Sequence, residues 1–151
     1  MRFRTRAKTA YGVLSEVRRL ILDEPLRYDQ TVLLVRRDEG YSRPMGFPKC
    51  GTVGCRAGWV TELCARYPES VLDPWGFAMT ILGLDEWQAN ELFESRAATG
   101  YPQTPGHARS GAAGISEFMT KYNKQLRETK IQTTLWRWYH LISSGGRRRI
   151  V

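Results

Sequence analysis

Prolines and glycines divide this chain into short segments whose apolar residues recur at helical spacing. The first segment covers residues 9–22 and stops before Pro25, because the residue preceding a proline is driven out of the helical conformation. A second segment covers residues 54–67 and stops before Pro68. The pattern therefore predicts several short helices rather than one long one.

Capping signals mark further helices in the middle of the chain. Asp73 followed by Pro74 predicts a helix over residues 75–82 that ends at Gly83. Asp85 and Gln88 have the spacing of a capping box and predict a helix over residues 86–94. We expect three side chains of this helix to point inward: Trp87, Leu92 and Phe93.

The remaining segments complete an all-α prediction of five to six helices. Ser110 is the predicted cap of a long helix, and a last helix is predicted over residues 130–143. Residues 30–37 are predicted to form a short helix, although the β-branched residues in that stretch leave a minor strand near 31–35 as an alternative. We expect a single helical domain over residues 9–144, a basic N-terminal arm at 1–8 and a basic tail at 145–151.

The basic residues are concentrated at the two ends of the chain. The net charge is +8, with +5 in residues 1–19, +7 in residues 121–151 and −4 between them. Basic termini attract polyanions by releasing counterions, although they also serve solubility alone. The expected contacts with nucleic acid or a nucleoprotein involve Arg2, Arg4, Arg6, Lys8, Lys121, Lys124, Arg127, Lys130, Arg137, Arg147, Arg148 and Arg149.

Composition argues against secretion and against membrane insertion. Three cysteines in 151 residues do not predict a disulfide framework. No apolar run approaches the ~20 residues that span a bilayer, and no apolar stretch follows the basic N-terminus as it does in a signal peptide. We therefore expect a cytoplasmic protein with reduced thiols and no membrane partner.

The most distinctive segment is Cys50-Gly-Thr-Val-Gly-Cys55-Arg-Ala-Gly-Trp59. A helix ending in Glu24-Pro25 precedes it, and Ile81-Leu-Gly-Leu84 and Ala89-Asn-Glu-Leu-Phe93 follow it. Together these segments resemble a group of short, uncharacterised bacterial and phage proteins that carry Cys-Gly-Thr-x-x-Cys-x-Ala-Gly-Trp. The resemblance covers about residues 14–120 and implies a bacterial or phage accessory protein, but no activity.

Two chemical hypotheses account for the cysteines of this segment. A metal site would need Cys50, Cys55, His107 and His140, because Cys55 and Cys64 lie about 180° apart on one helix and cannot share a tetrahedral ion. Alternatively, Cys55 is a nucleophile whose pKa is lowered by the start of its helix, with His107 as the base. No residue in the sequence is identified as orienting that histidine.

A structural hypothesis is favoured over both. Glycines permit a tight turn, small residues let a neighbouring backbone approach, and the cysteines act as small hydrophobic residues beside a space-filling tryptophan. On this hypothesis the segment builds the fold through Cys50, Gly51, Gly54, Cys55, Ala57, Gly58 and Trp59.

The C-terminal segment offers the best candidate for a binding aromatic residue. Trp136 and Trp138 lie about 200° apart around the predicted last helix, so both cannot face the same core. Trp136 can stack on a nucleic-acid base beside Arg137, anchor a protein interface, or pack against the N-terminal segment.

The sequence therefore predicts a non-enzymatic binding protein without a cofactor. Nucleic acid or a nucleoprotein is the first predicted partner. A protein partner or a second copy of the chain, contacted through Trp136, is the second. A cysteine-dependent enzyme that uses Cys55 is the third hypothesis.

Overall fold

The computed structural model describes residues 5–32, 34–36, 52–68, 71–94 and 98–131. Within these ranges the chain is mainly helical, which confirms the all-α prediction. The described elements are α1 (Ala10–Asp23), a 3-10 turn (Pro25–Arg27), β1 (Leu34–Arg36), β2 (Thr52–Gly54), α2 (Arg56–Cys64), α3 (Pro74–Ile81), α4 (Glu86–Phe93), α5 (Pro105–Lys121) and α6 (Asn123–Glu128). None of these helices has the length and apolar character needed to cross a membrane.

Polar side chains cap the N-terminal ends of most helices. Thr9 caps α1, Asp73 caps α3 and Thr104 caps α5, each by accepting a hydrogen bond from a backbone N–H of the first turn. The capping box predicted at α4 is present, because Asp85 and Gln88 each accept a hydrogen bond from the other's backbone N–H, at 2.8 and 3.1 Å. These caps satisfy N–H groups that have no partner within the helix.

The predicted start of α5 at Ser110 is wrong. The helix begins at Pro105, because Thr104 supplies the cap and proline is already suited to the first helical position. The Ser110 hydroxyl instead accepts a hydrogen bond from the backbone N–H of Thr99 at 2.8 Å. The segment between α4 and α5 is correspondingly shorter than the sequence predicts.

The short helix predicted over residues 30–37 is also wrong, and a strand forms there instead. β1 pairs with β2 in antiparallel register, with Val35 opposite Val53. The Asp29 carboxylate accepts hydrogen bonds from the backbone N–H and the hydroxyl of Thr31, so it closes a turn rather than capping a helix. The alternative of a minor strand near 31–35 was therefore the better prediction.

Trp59 occupies the centre of the core. Its side chain is fully buried, and its indole Nε1 donates to the backbone oxygen of Arg27 at 2.8 Å. The Arg27 guanidinium lies 4.5 Å from the centre of the Trp59 ring. Trp59 thereby joins α2 to the turn after α1. Elsewhere in the core, α1 packs against α5 and α2 packs against α3.

The prediction that Trp87 points inward is wrong, because this side chain is 77% exposed. Leu92 and Phe93 are buried as predicted, and Ala89 joins them on the core side of α4. At about 100° per residue, Trp87 lies on the opposite side of the helix from these three residues. One side of this two-turn helix faces the core, and Ala89, Leu92 and Phe93 occupy that side.

The close approach of Tyr28 to α5 depends on Gly111. Tyr28 is fully buried, and a Cβ atom placed on Gly111 would lie 2.5 Å from its phenol oxygen and 2.6 Å from its Cζ. Both distances are below any normal contact between such atoms. Only glycine at position 111 allows the tyrosine ring to lie against the backbone of this helix.

Gly111→Ala should destabilise the protein by about 1–3 kcal/mol, because the added methyl group forces the Tyr28 ring or α5 to move. The measurement is the free energy of unfolding in urea. Gly106→Ala is the matched control on the same helix, since its Cβ would come no closer than 3.9 Å to any neighbouring side chain. Equal effects of the two substitutions would contradict this account.

Candidate nucleic-acid interface

A backbone bridge joins residues 8–10 to residues 129–131. Thr9 and Lys130 pair in antiparallel fashion, with hydrogen bonds of 3.0 Å from Ala10 N to Thr129 O and from Ile131 N to Lys8 O. Lys8 and Lys130 are both exposed. Lys8 and Lys130, which lie far apart in the sequence, are therefore close neighbours along the backbone, and we call them, together with Arg127, the basic edge (Lys8, Arg127 and Lys130).

Arg127 is held at the basic edge by two contacts. Its guanidinium carbon lies 3.7 Å from the centre of the Tyr11 ring, and its Nε donates to the Asn123 Oδ1 at 3.0 Å. The residue stays exposed, and neither of these two contacts is with a carboxylate. Lys130, the predicted first residue of the last helix, is part of the bridge rather than helical.

Lys121 is less available than the sequence suggests. Its ammonium group donates to both carboxylate oxygens of Glu91, at 3.0 and 3.2 Å. The Tyr122 hydroxyl donates to the Glu91 carboxylate as well, at 2.8 Å. Desolvation acts to raise the pKa of Glu91, but these hydrogen bonds outweigh it and lower that pKa. The hydrogen bond to Glu91 in turn raises the pKa of Lys121.

Lys124, also exposed, lines an open depression of about 520 Å³ with Lys121, Tyr122, Gln125, Glu128 and Thr129.

Arg6 lies away from the basic edge. It lines a cleft of about 300 Å³ together with Arg19 and three acidic residues: Glu16, Asp23 and Glu24. A polyanion would meet both signs of charge there, so Arg6 contributes less than Lys8 to any attraction.

Several residues of the sequence predictions lie outside the described residues. They are the predicted contact residues Arg2, Arg4, Trp136, Arg137, Arg147, Arg148 and Arg149, together with Cys50, Gly51 and His140.

The described part of the cysteine segment lies in the interior. Residues 54–63 are all buried, including Ala57, Gly58 and Trp59. Cys55 caps α2, where its sulfur accepts a hydrogen bond from the Gly58 N–H at 3.5 Å. This arrangement agrees with the structural hypothesis for the segment.

The Cys55 thiol lacks the properties of a nucleophile. Its side chain is 2% exposed, and burial raises its pKa to about 11. Hydrogen bonds from the start of α2 act in the opposite direction, as the sequence predicts, but they are outweighed by desolvation. The group is therefore protonated at neutral pH.

His107 is fixed by hydrogen bonds at both ring nitrogens. The backbone N–H of Gln30 donates to Nε2 at 3.1 Å, so Nε2 carries no proton, and Nδ1 donates to the Thr99 oxygen at 2.9 Å. The ring also stacks on Tyr28, with 4.8 Å between ring centres. This geometry leaves no free ring nitrogen for a general base.

The metal hypothesis finds no support in the described part of the chain. Across residues 5–32, 34–36, 52–68, 71–94 and 98–131, no three His, Cys, Asp or Glu side chains are grouped so that they could hold a metal ion. Cys50 and His140, two of the four ligands in the hypothesis, lie beyond these ranges.

Sequence reasoning missed Arg56, which is the most unusual residue of the interior. It is 1% exposed, and its two terminal nitrogens donate to the backbone oxygens of Leu92 and Gly111, both at 2.8 Å. Burial lowers its pKa from the usual value. The available signal was an arginine set among the small and apolar residues of the segment Gly54 to Trp59.

Gln30 connects this arginine to the rest of the buried polar cluster. Its side-chain oxygen accepts from the Tyr28 hydroxyl at 2.9 Å and from the Arg56 backbone N–H at 3.2 Å. Its side-chain nitrogen donates to the Phe93 oxygen at 2.8 Å. Desolvation raises the pKa of Tyr28 to about 12, so the phenol remains a donor. The cluster (Tyr28, Gln30, Arg56 and His107) is directed at backbone groups and therefore holds the fold together.

A cleft of about 310 Å³ opens beside this cluster. Its wall combines aromatic, polar and apolar groups: Gln30, Thr31, Val32, Cys55, Trp75, Phe93 and Glu94. Trp75 and Phe93 meet edge to face, with 5.5 Å between ring centres. Since Gln30 and Cys55 are already engaged with the protein, the polar groups that this cleft offers a ligand are few.

Native Cys55 should react with iodoacetamide about a hundredfold more slowly than the same residue in the unfolded chain near neutral pH, because a pKa higher by two units leaves that much less thiolate. Its rate should continue to rise between pH 9 and about 11. Mass spectrometry of the Cys55 peptide measures both rates. Native labelling as fast as that of the unfolded chain would contradict the buried, protonated thiol.

Arg56→Met should destabilise the protein by about 2–5 kcal/mol, because it removes a buried donor from the backbone oxygens of Leu92 and Gly111, and Leu92 lies in the last turn of α4, where the oxygen has no partner within the helix. Urea unfolding provides the measurement. Arg109→Met on the exposed side of α5 is the control and should change stability by less than about 0.5 kcal/mol. A more stable Arg56→Met variant would mean that burying the charge costs more than its hydrogen bonds contribute.

No family model, curated protein or solved structure matches this chain. The resemblance carried by the cysteine segment therefore stays a prediction, and conclusions about function depend on the charges and contacts described above.

Proposed function

We propose that this chain is a small non-enzymatic binding protein that contacts nucleic acid or a nucleoprotein through the basic edge. The observation that carries the proposal is the Thr9–Lys130 bridge, because it makes Lys8, one residue before Thr9, a close backbone neighbour of Lys130. We further propose a bacterial or phage accessory role in the cytoplasm, on the basis of the cysteine segment and the three cysteines.

The chain that continues from this edge is basic in sequence. Residues 132–151 are attached to Ile131, which is hydrogen-bonded to Lys8. Their sequence contains Arg137, Arg147, Arg148 and Arg149 and no acidic residue. Phosphate contacts of this kind give affinity that falls steeply with salt and depends little on base sequence.

A catalytic role is the weaker hypothesis. The Cys55 thiol is buried and protonated, and both ring nitrogens of His107 are engaged with backbone groups. Nucleophilic catalysis needs a thiolate and a base that can reach it. These contacts favour a binding function over cysteine chemistry.

A protein partner or a second copy of the chain is the second candidate. The sequence assigns this contact to Trp136, which lies outside the described residues. A different tryptophan favours this role within the described part of the chain, because Trp87 is 77% exposed.

The double substitution Lys8→Ala with Lys130→Ala should weaken nucleic-acid binding about tenfold and lower the slope of log affinity against log salt by about two, one for each lost phosphate contact. Fluorescence anisotropy with labelled single-stranded RNA, single-stranded DNA and duplex DNA measures both quantities. All three probes should bind, with little preference among base sequences.

Arg66→Ala with Arg109→Ala is the matched control. Both arginines are exposed, so the pair removes the same charge from other parts of the surface. If the control pair weakens binding as much as the basic-edge pair, net charge alone accounts for the attraction. Absence of binding to every probe at the lowest salt would overturn the proposed function.

A further inference from the structure

The guanidinium of Arg127 lies flat on the ring of Tyr11. Its carbon is 3.7 Å from the centre of that ring. If the guanidinium stood on edge, its nearest nitrogens would lie at about 2.4–3.0 Å from the ring, below the ~3.5 Å of an ordinary contact. The two planes are therefore close to parallel, and Tyr11 covers one face of the guanidinium.

Arg127 is also held along its edge. Its Nε donates to the Asn123 Oδ1 at 3.0 Å, and Asn123 lies one turn earlier on α6. The arginine nevertheless remains exposed. A guanidinium that is fixed before a ligand arrives loses less conformational entropy on binding. The side chain thus offers a planar, charged surface whose orientation the protein has already set.

Lysines flank this stack on both segments that form it. Lys8 precedes Tyr11 by three residues, and Lys130 follows Arg127 by three residues. The backbone N–H of Ile131 donates to the Lys8 oxygen at 3.0 Å, so the two lysines extend from neighbouring points of the backbone. The basic edge therefore combines one planar cation with two flexible ones.

We propose that the basic edge takes an unpaired base of single-stranded nucleic acid, which stacks on the face of the Arg127 guanidinium opposite Tyr11. Phosphates on either side of that base then bind Lys8 and Lys130. Arginine planes and aromatic rings both serve as stacking partners for unpaired bases. This contact rests on the proposed function, and it specifies single-stranded rather than duplex nucleic acid.

The flat stack favours an unpaired base over other polyanionic ligands. In a duplex each base is covered by its neighbours above and below, and unstacking it costs free energy, so a duplex meets the basic edge through its phosphates alone. An acidic peptide would satisfy the three charges but would leave the open face of the guanidinium uncovered. Only an unpaired base uses both the plane and the charges.

The first test compares an intact single strand of DNA with an abasic strand of the same length, which keeps the phosphates and lacks the bases. Fluorescence anisotropy of the full chain at one salt concentration measures both affinities. The intact strand should bind about tenfold more tightly, the usual effect of stacking one base. An intact RNA strand also offers unpaired bases and should exceed the abasic strand as well. Equal affinities for intact and abasic strands would overturn the inference.

Arg127→Lys keeps the positive charge and removes the plane. It should reduce the tenfold preference for the intact strand to about twofold, because a lysine cannot stack on a base as a guanidinium does. Both strands are measured on the same protein, so a loss of folded protein would lower the two affinities equally and leave their ratio unchanged. A preference that survives the substitution would overturn the inference.

Arg66→Lys is the matched control. Arg66 is also exposed and also lies beside a tyrosine, with its guanidinium carbon 5.4 Å from the centre of the Tyr67 ring, but it is not part of the basic edge. This variant should retain the tenfold preference. An equal loss of preference in the Arg66 variant would contradict the placement of the base on Arg127.

Failure of this inference and failure of the proposed function give different results. Equal binding of intact, abasic and duplex probes would overturn the stacked base and would leave the basic edge as a surface for phosphates. Absence of binding to every probe at the lowest salt would overturn both.

Discussion

The packing of the interior depends on the buried guanidinium of Arg56. An arginine that is removed from water must be surrounded by acceptors, and here the backbone oxygens of Leu92 and Gly111 supply two of them. Those oxygens belong to α4 and α5, so the charge fixes how these two helices lie relative to α2. Gln30 and Tyr28 then fill the remaining space, and Gly111 is required for the tyrosine to fit.

The helices were largely predictable because their ends carry local signals. Asp73 and Asp85 act within one turn of their own position, and the sequence alone identifies such contacts. Trp87 was placed wrongly because an eight-residue helix holds too few residues to define its core side from spacing. The strand β1 was only an alternative prediction for a related reason, since it pairs with the distant strand β2 and such a pairing leaves no local signal in the sequence.

The candidate nucleic-acid interface was less predictable from the sequence than the helices were. The sequence identifies the basic residues at each end of the chain, but it cannot tell that Lys8 and Lys130 are neighbours. Their proximity results from the backbone bridge between Thr9 and Lys130, and backbone groups carry no residue-specific signal. Lys121 is the opposite case. The sequence counts it among the charges that could attract nucleic acid, but in the fold its ammonium group is bound to the Glu91 carboxylate.

The buried polar cluster also determines how the chain can reach its folded state. Its members come from the turn after α1, from the start of α2 and from α5, and they bind backbone oxygens at the end of α4. No contiguous fragment contains them all, so a shorter chain would leave a charged arginine without its acceptors. During synthesis the interior therefore cannot close until α5 has emerged from the ribosome, and folding follows translation of nearly the whole domain.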